Sequence, residues 1–164
     1  MRLVVADASP LHYLILVDAV DVLCRLFEKI YVPIEVRDEL TCPAAPADVR
    51  TWMQRVPNWI DILPTPGVQS DDPALTALDS GERAAIVLAE SLQADLLLID
   101  DRSAASAAQQ RGLIVTGTLG VLDLASRAGL LDLRSTFTRL QKTNFRYPPS
   151  LMEKLLEDER TRSK

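Results

Sequence analysis

The sequence predicts an α/β domain built on a mostly parallel sheet. Three observations carry that expectation. Short apolar runs alternate along the chain with longer stretches of helical periodicity, the order that wraps helices over a parallel sheet. The run Leu96-Leu97-Leu98-Ile99 is aliphatic without a break, as expected of a strand covered on both faces. Hydrophobic residues make up 48% of the 164, enough for one sizeable core in a single domain.

Taken in order, residues 3–6 read as a buried strand. Ser9-Pro10 then opens a helix, with Ser9 as N-cap and Pro10 at the first helical position, where a missing N–H costs nothing. Residues 18–27 read as a second apolar helix and 30–32 as a strand, and Pro33 starts a helix that runs through Leu40. The loop CPAAPAD leads to a short amphipathic helix at 49–55 and a strand at 59–63. PTPGVQSDDP is the longest stretch rich in breakers and reads as a mobile surface loop. A mostly buried helix is expected at 79–92, the aliphatic strand at 96–99, and an alanine-rich helix at 103–111 that Gly112 stops. The last strand falls at 113–115, followed by a helix at 118–128 ended by Gly129. Two more helices, 131–140 and 149–160, close the chain; the last has mixed charge and a Leu/Met stripe, suited to an arm for a partner. The expected division is a domain over 1–142 and a C-terminal helical extension over 143–164.

Cys24 and Cys42 sit in neither a metal-ligand nor a CxxC spacing, which suits a reducing compartment without a disulfide framework. Cys24 reads as core filler. The opening MRLVVADASP has too short an apolar run for a signal peptide, and no segment is long enough to span a bilayer, so the expectation is a cytoplasmic protein with no membrane contact. The net charge of −5 runs against phosphate binding. Residues 127–146, however, carry Arg127, Arg134, Arg139, Lys142 and Arg146 against Asp132 alone. That stretch reads equally as a solvated helical face.

In open α/β sheets, ligands bind beyond the carboxyl ends of the strands. Asp7 directly follows the first strand, and Asp100 and Asp101 follow the aliphatic one. Glu39 lies on the helix after the second strand, and Glu82 in the first turn of the helix at 79–92. Each has an ordinary explanation. Asp7 suits a turn, Asp79-x-x-Glu82 suits a capping box, Glu39 a solvated surface, and one of the paired aspartates an N-cap. One cap uses one aspartate, so its neighbour is left over. Carboxylates gathered in one place repel, and burying them unpaired costs several kcal/mol or raises their pKa, roughly 3 kcal/mol or more per group. A divalent cation removes that cost, and oxygen-only ligands favour a hard ion such as Mg²⁺ or Mn²⁺ over zinc. His12 is the single histidine, which excludes a ribonuclease working with two imidazoles; it reads as a helix-surface or packing residue.

Four segments in this order, VVADASPL, GERAAIVLA, LLLIDDRSAA and IVTGTLGVL, resemble the PIN-domain family, and within it the VapC-type toxins and their stand-alone prokaryotic relatives. The resemblance runs from Asp7 to about Leu131. It implies a three-layer α/β/α sandwich with a Rossmann-like sheet, and a single-stranded endoribonuclease dependent on Mg²⁺ or Mn²⁺ that leaves a 5′-phosphate. Asp7 matches the family's first-strand acid and Glu39 its helix glutamate. Glu82 stands where other members often carry aspartate. Either Asp100 or Asp101 matches the acid after the fourth strand. Asp7, Glu82, Asp100 and Asp101 are thus the expected metal ligands, and Glu39 and Glu82 are placed to position water or act as general base. Ser9, Thr116 and Thr118 match hydroxyls that line the site, and Arg102 lies near it, facing RNA with the basic stretch. A toxin of this type implies a small antitoxin and a homodimer, for which the helices at 10–17 and 151–160 are candidate surfaces.

Other classes fit less well. A phospho-acceptor receiver needs its acid pair after strand one and a lysine after strand five. Here the pair follows a later strand, and the nearest lysine after Val115 is Lys142. A haloacid-dehalogenase-like phosphatase needs Asp-x-Asp, where this chain has Asp7-Ala8-Ser9. A non-catalytic PIN-like module binding RNA or protein stays open, because Asp-Asp-Arg-Ser departs from the Thr-Arg/Asn-Asp of the toxins.

Overall fold

The two most apolar runs take the middle of the sheet. In the computed structural model, which describes residues 2–67 and 72–163, strand β1 (Val4–Ala6) pairs in parallel with a strand at Leu96–Leu98, Val4 opposite Leu96 and Ala6 opposite Leu98. No residue of either strand is more than 4% exposed. Outside β1 lie β2 (Ile30–Pro33) and then β3 (Ile60–Leu63); the Leu96–Leu98 strand is β4, and β5 (Val115–Thr116) forms the other edge. The order is β3-β2-β1-β4-β5, every pairing parallel. The chain therefore builds outward from β1 in one direction and resumes on its other side, which makes the β1/β4 boundary a topological switch point.

Ten helices among the described residues cover the sheet: α1 (Ala8–Leu16), α2 (Val22–Phe27), α3 (Ile34–Thr41), α4 (Ala47–Gln54), α5 (Pro73–Thr76), α6 (Ser80–Ser91), α7 (Arg102–Gln110), α8 (Thr118–Arg127), α9 (Leu133–Gln141) and α10 (Pro149–Arg162). Strand side chains alternate between faces, and each face has its own core. Val4, Ala6 and Leu98 pack with Leu11, Leu14, Leu122 and Phe137 on one side. Val5, Leu97 and Ile99 pack with Leu75, Ile86, Leu88 and Ala104 on the other. The result is a three-layer α/β/α sandwich, as the family resemblance implied, on the parallel sheet that the alternation of elements implied.

Several local expectations need correction. The helix expected over 18–27 is α2, beginning only at Val22; Asp18 is left-handed (φ 58°), a conformation aspartate tolerates, and it separates α1 from α2. Ser9 is not an N-cap. The helix starts at Ala8 with Asp7 in the cap position, and Pro10 sits in the first turn, where backbone N–H groups have no intrahelical acceptor anyway. β5 lies at Val115–Thr116 rather than 113–115, and α5 was not anticipated. Of the loop PTPGVQSDDP, residues 68–71 lie outside the described residues. Cys24 is half-buried, its thiol donating to the Asp21 carbonyl, rather than filling the core. α10 packs on α8 and α9 through the buried Met152. Among the described residues no helix is long and apolar enough to cross a membrane.

Candidate active site

The site is assembled at the switch point. Asp7 leaves β1 with its backbone N–H donating to the Leu98 carbonyl at 2.9 Å, which ties it to the end of β4 two residues before Asp100. It is 4% exposed, and although it holds the N-cap position of α1, its carboxylate makes no capping bond. Gly81, in the first turn of α6, faces it: a Cβ there would lie 3.6 Å from Asp7 Oδ1. The N-terminus of α6 thus brings Glu82 to the same place.

The adjacent aspartates divide their tasks. Asp101 is the N-cap of α7, accepting from the Ala104 N–H at 2.9 Å. Asp100 turns the other way. Its Oδ1 accepts from the Thr118 N–H at 2.7 Å, and its Oδ2 accepts from the Thr118 hydroxyl at 2.7 Å and the Ser9 hydroxyl at 2.8 Å. Ser9 thereby joins α1 to β4, a task that displaced its expected capping one. Gly117 is required here, because a Cβ at that position would stand 2.5 Å from Asp100 Oδ1.

The acids repel one another. Burial, with the charges of Glu39, Glu82 and Asp79, pushes the Asp7 carboxyl up to about 8, against which only the Ala8 backbone amide favours the anion. Glu82 is pushed up to about 7 by burial and by Asp79 and Asp101, even though it is the reciprocal partner of Asp79 in the expected capping box. Glu39 is raised by desolvation first and by Asp79 second. Among the described residues, none of these carboxylates takes part in a salt bridge.

Asp7, Glu82, Asp100 and Asp101 line one cleft of about 640 Å³, together with Ser9, Arg102 and Arg146. Three expected residues stand elsewhere. Glu39 is on the exposed side of α3 and reaches Asp7 only through its charge. Thr118 is wholly buried beneath Asp100, and Thr116 lines a neighbouring cleft. Of the basic stretch, Arg146 lines the cleft, while Arg127 pairs with Asp123 and Arg139 donates to the Val17 carbonyl. Tyr13, Asn144 and Phe145 line the cleft and were not anticipated; nor was Asp79 as a charge common to Asp7, Glu39 and Glu82. His12 is half-buried beside the Tyr13 ring, as a packing residue would be.

An all-parallel sheet whose switch point gathers carboxylates defines the class of open α/β proteins whose sites lie at the carboxyl ends of the strands. A family model, DUF3368, described as a PIN domain, matches residues 3–160, and the chain belongs to that family. No curated protein and no solved structure matches it. PIN domains are generally nucleases and typically use divalent metal ions. The donors fit such an ion in kind: oxygen only, with a buried carboxylate that no cationic side chain among the described residues pairs. Among the described residues no three of them stand at ligand spacing. Asp100 is held by three hydrogen bonds, Asp101 by its cap and Glu82 by its capping box, so closing around an ion requires side chains to turn.

Proposed function

We propose that this PIN domain is a single-stranded endoribonuclease dependent on Mg²⁺ or Mn²⁺, the toxin of a type II toxin–antitoxin pair. The observation that carries this reading is the cleft at the switch point, where four carboxylates meet without, among the described residues, a cationic side chain bonded to them, and two arginines stand at the rim. Asp7 and Asp100 would hold the ion, while Asp101 keeps its place as the cap of α7. When bound, it supplies Lewis acidity, polarising a phosphoryl oxygen and making water a better nucleophile at neutral pH. Glu82, pushed up to about 7, is suited to take the proton of the attacking water. Arg102 and Arg146 bind the phosphates on either side of the scissile bond, and Ser9 and Thr118 anchor Asp100 at the cleft until it turns toward the ion. An antitoxin segment that places a lysine or arginine among the carboxylates would occupy the position of the ion.

The test is incubation of mixed single-stranded RNAs with Mn²⁺ or Mg²⁺, with and without EDTA. The wild type is expected to cut and leave 5′-phosphate ends; EDTA and Asp7→Asn are each expected to abolish cutting. Growth arrest on expression, relieved by the product of an adjacent short reading frame, tests the toxin role. A second reading, a non-catalytic RNA-binding module, is favoured by the hydrogen bonds that engage both Asp100 oxygens. RNA bound but uncut with either ion would establish it.

A further inference from the structure

A second cleft, of about 790 Å³, lies on the other side of Asp100. It shares Asp100, Arg102, Phe145 and Arg146 with the acid cleft, so the two are continuous. One wall is the start of α8, where Gly117 and Gly120 let the helix pass close against the Asp100 and Thr116 side chains; the other includes Phe145 and Tyr147. Their rings are near-parallel, 17° apart in plane, with centroids 6.2 Å apart. Phe145 is held in turn by an edge contact with Tyr13, centroids 4.8 Å apart, and by its own N–H donating to the Thr143 hydroxyl at 3.1 Å. Tyr13 is tied to the same segment by its hydroxyl, which donates to Asn144 Oδ1 at 2.8 Å. The segment is therefore a braced aromatic shelf rather than a loose tail.

We propose that this cleft is a nucleobase-binding subsite for the nucleotide next to the scissile phosphate, a proposal that rests on the nuclease reading of the acid cleft. Flat aromatic faces stack on any base, which gives affinity without a sequence requirement. The arginines stand where the two clefts meet, and among the described residues neither is in a salt bridge, so both are available to the phosphate that must cross from one cleft to the other. Continuity with the acid cleft and the charge at the junction favour a nucleic-acid strand over an apolar peptide, which would leave the two guanidinium groups unmatched.

The test compares binding of a single-stranded oligoribonucleotide with that of the same backbone lacking bases, measured by fluorescence anisotropy in EDTA. Repulsion from the unfilled acids acts on both probes and cancels. Wild type is expected to prefer the base-bearing strand about tenfold, the contribution of one stacked base. Phe145→Leu and Tyr147→Leu are expected to remove most of that preference, and Tyr147→Phe to retain it. Arg146→Gln is expected to weaken both probes alike and to flatten the salt dependence by about one unit of slope. Unchanged thermal melting of Tyr147→Leu shows that the fold is intact. Equal affinity for the two probes, or a preference that both leucine variants keep, overturns the proposal; RNA cutting that persists in Mn²⁺ would then leave the nuclease reading standing. Base preference without cutting in any metal supports the subsite and overturns the nuclease reading. RNA binding that ignores both substitutions, while they abolish binding of a co-expressed antitoxin, overturns the subsite in favour of a protein-docking groove.

Discussion

Replacing Asp7 by asparagine probes the electrostatics of the cleft through stability, a readout separate from RNA cutting. Burial and three neighbouring acids raise this carboxyl from 3.8 to about 8. Between those values the native state keeps a proton that the unfolded chain has lost. Stability therefore falls as pH rises from about 4, and levels off above about 8, because the folded form then ionises too. The slope for one such group is about 1.4 kcal/mol per pH unit. From pH 5 to pH 8 the wild type should lose up to ~4 kcal/mol on this account, an upper figure because water entry and side-chain relaxation relieve a charged Asp7. Asparagine is close to isosteric and does not titrate, so the titrations of groups distant from Asp7 cancel in the comparison. Urea unfolding in EDTA at pH 5, 6, 7 and 8 is the assay. The asparagine variant should gain on the wild type at each step, and millimolar Mn²⁺ should reverse the order at pH 8 by stabilising only the wild type. A difference that stays flat across the range would mean that Asp7 ionises as an ordinary aspartate, and the reasoning from a crowded, buried acid cluster would fail.

The paired aspartates should separate cleanly. Asp101→Ala is expected to cost about 1 kcal/mol through loss of the α7 cap, whereas Asp101→Asn keeps a capping oxygen and most of the RNA cutting. Asp100→Asn should abolish cutting, and Asp100→Ala should cost a further 1–3 kcal/mol, roughly, because the Ser9 and Thr118 donors lose their acceptor; urea melts and cleavage assays read both. Glu82→Gln retains an acceptor for the Asp79 amide, so melting should be nearly unchanged while cutting falls by about 100-fold, the range expected for losing a positioned proton acceptor. Gly117→Ala forces its Cβ against Asp100 Oδ1, so it should cost about 1–3 kcal/mol in urea and suppress cutting as strongly as Asp100→Asn.

The sheet was legible because its central strands are buried on both faces, and a continuous aliphatic run such as 96–99 has few other solutions. The acids at the strand ends were legible for a related reason: topology alone sends the ends of β1 and β4 to one place. What local pattern could not show was the phase of each element. Ser-Pro reads as a cap, yet the helix begins two residues earlier than that cap implies, and Ser9 Oγ is used by Asp100, 91 positions away. Which of Asp100 and Asp101 caps α7 depends on one step of backbone rotation that no spacing encodes. Asp79 was visible as half of a capping box, and that local sufficiency hid its charge on Asp7. Phe145 and Tyr147 follow the last core helix and carry no periodic signal; they meet Asp100 only because the chain folds back across the β5 edge before α10.

The most direct measurement is anomalous scattering from a crystal soaked in Mn²⁺. A peak within coordination distance of Asp7 and Asp100, absent from Asp7→Asn crystals, is the expected result. A peak confined to other acids, or none at Mn²⁺ concentrations that support RNA cutting, would contradict the claim that these carboxylates are gathered to hold a divalent ion.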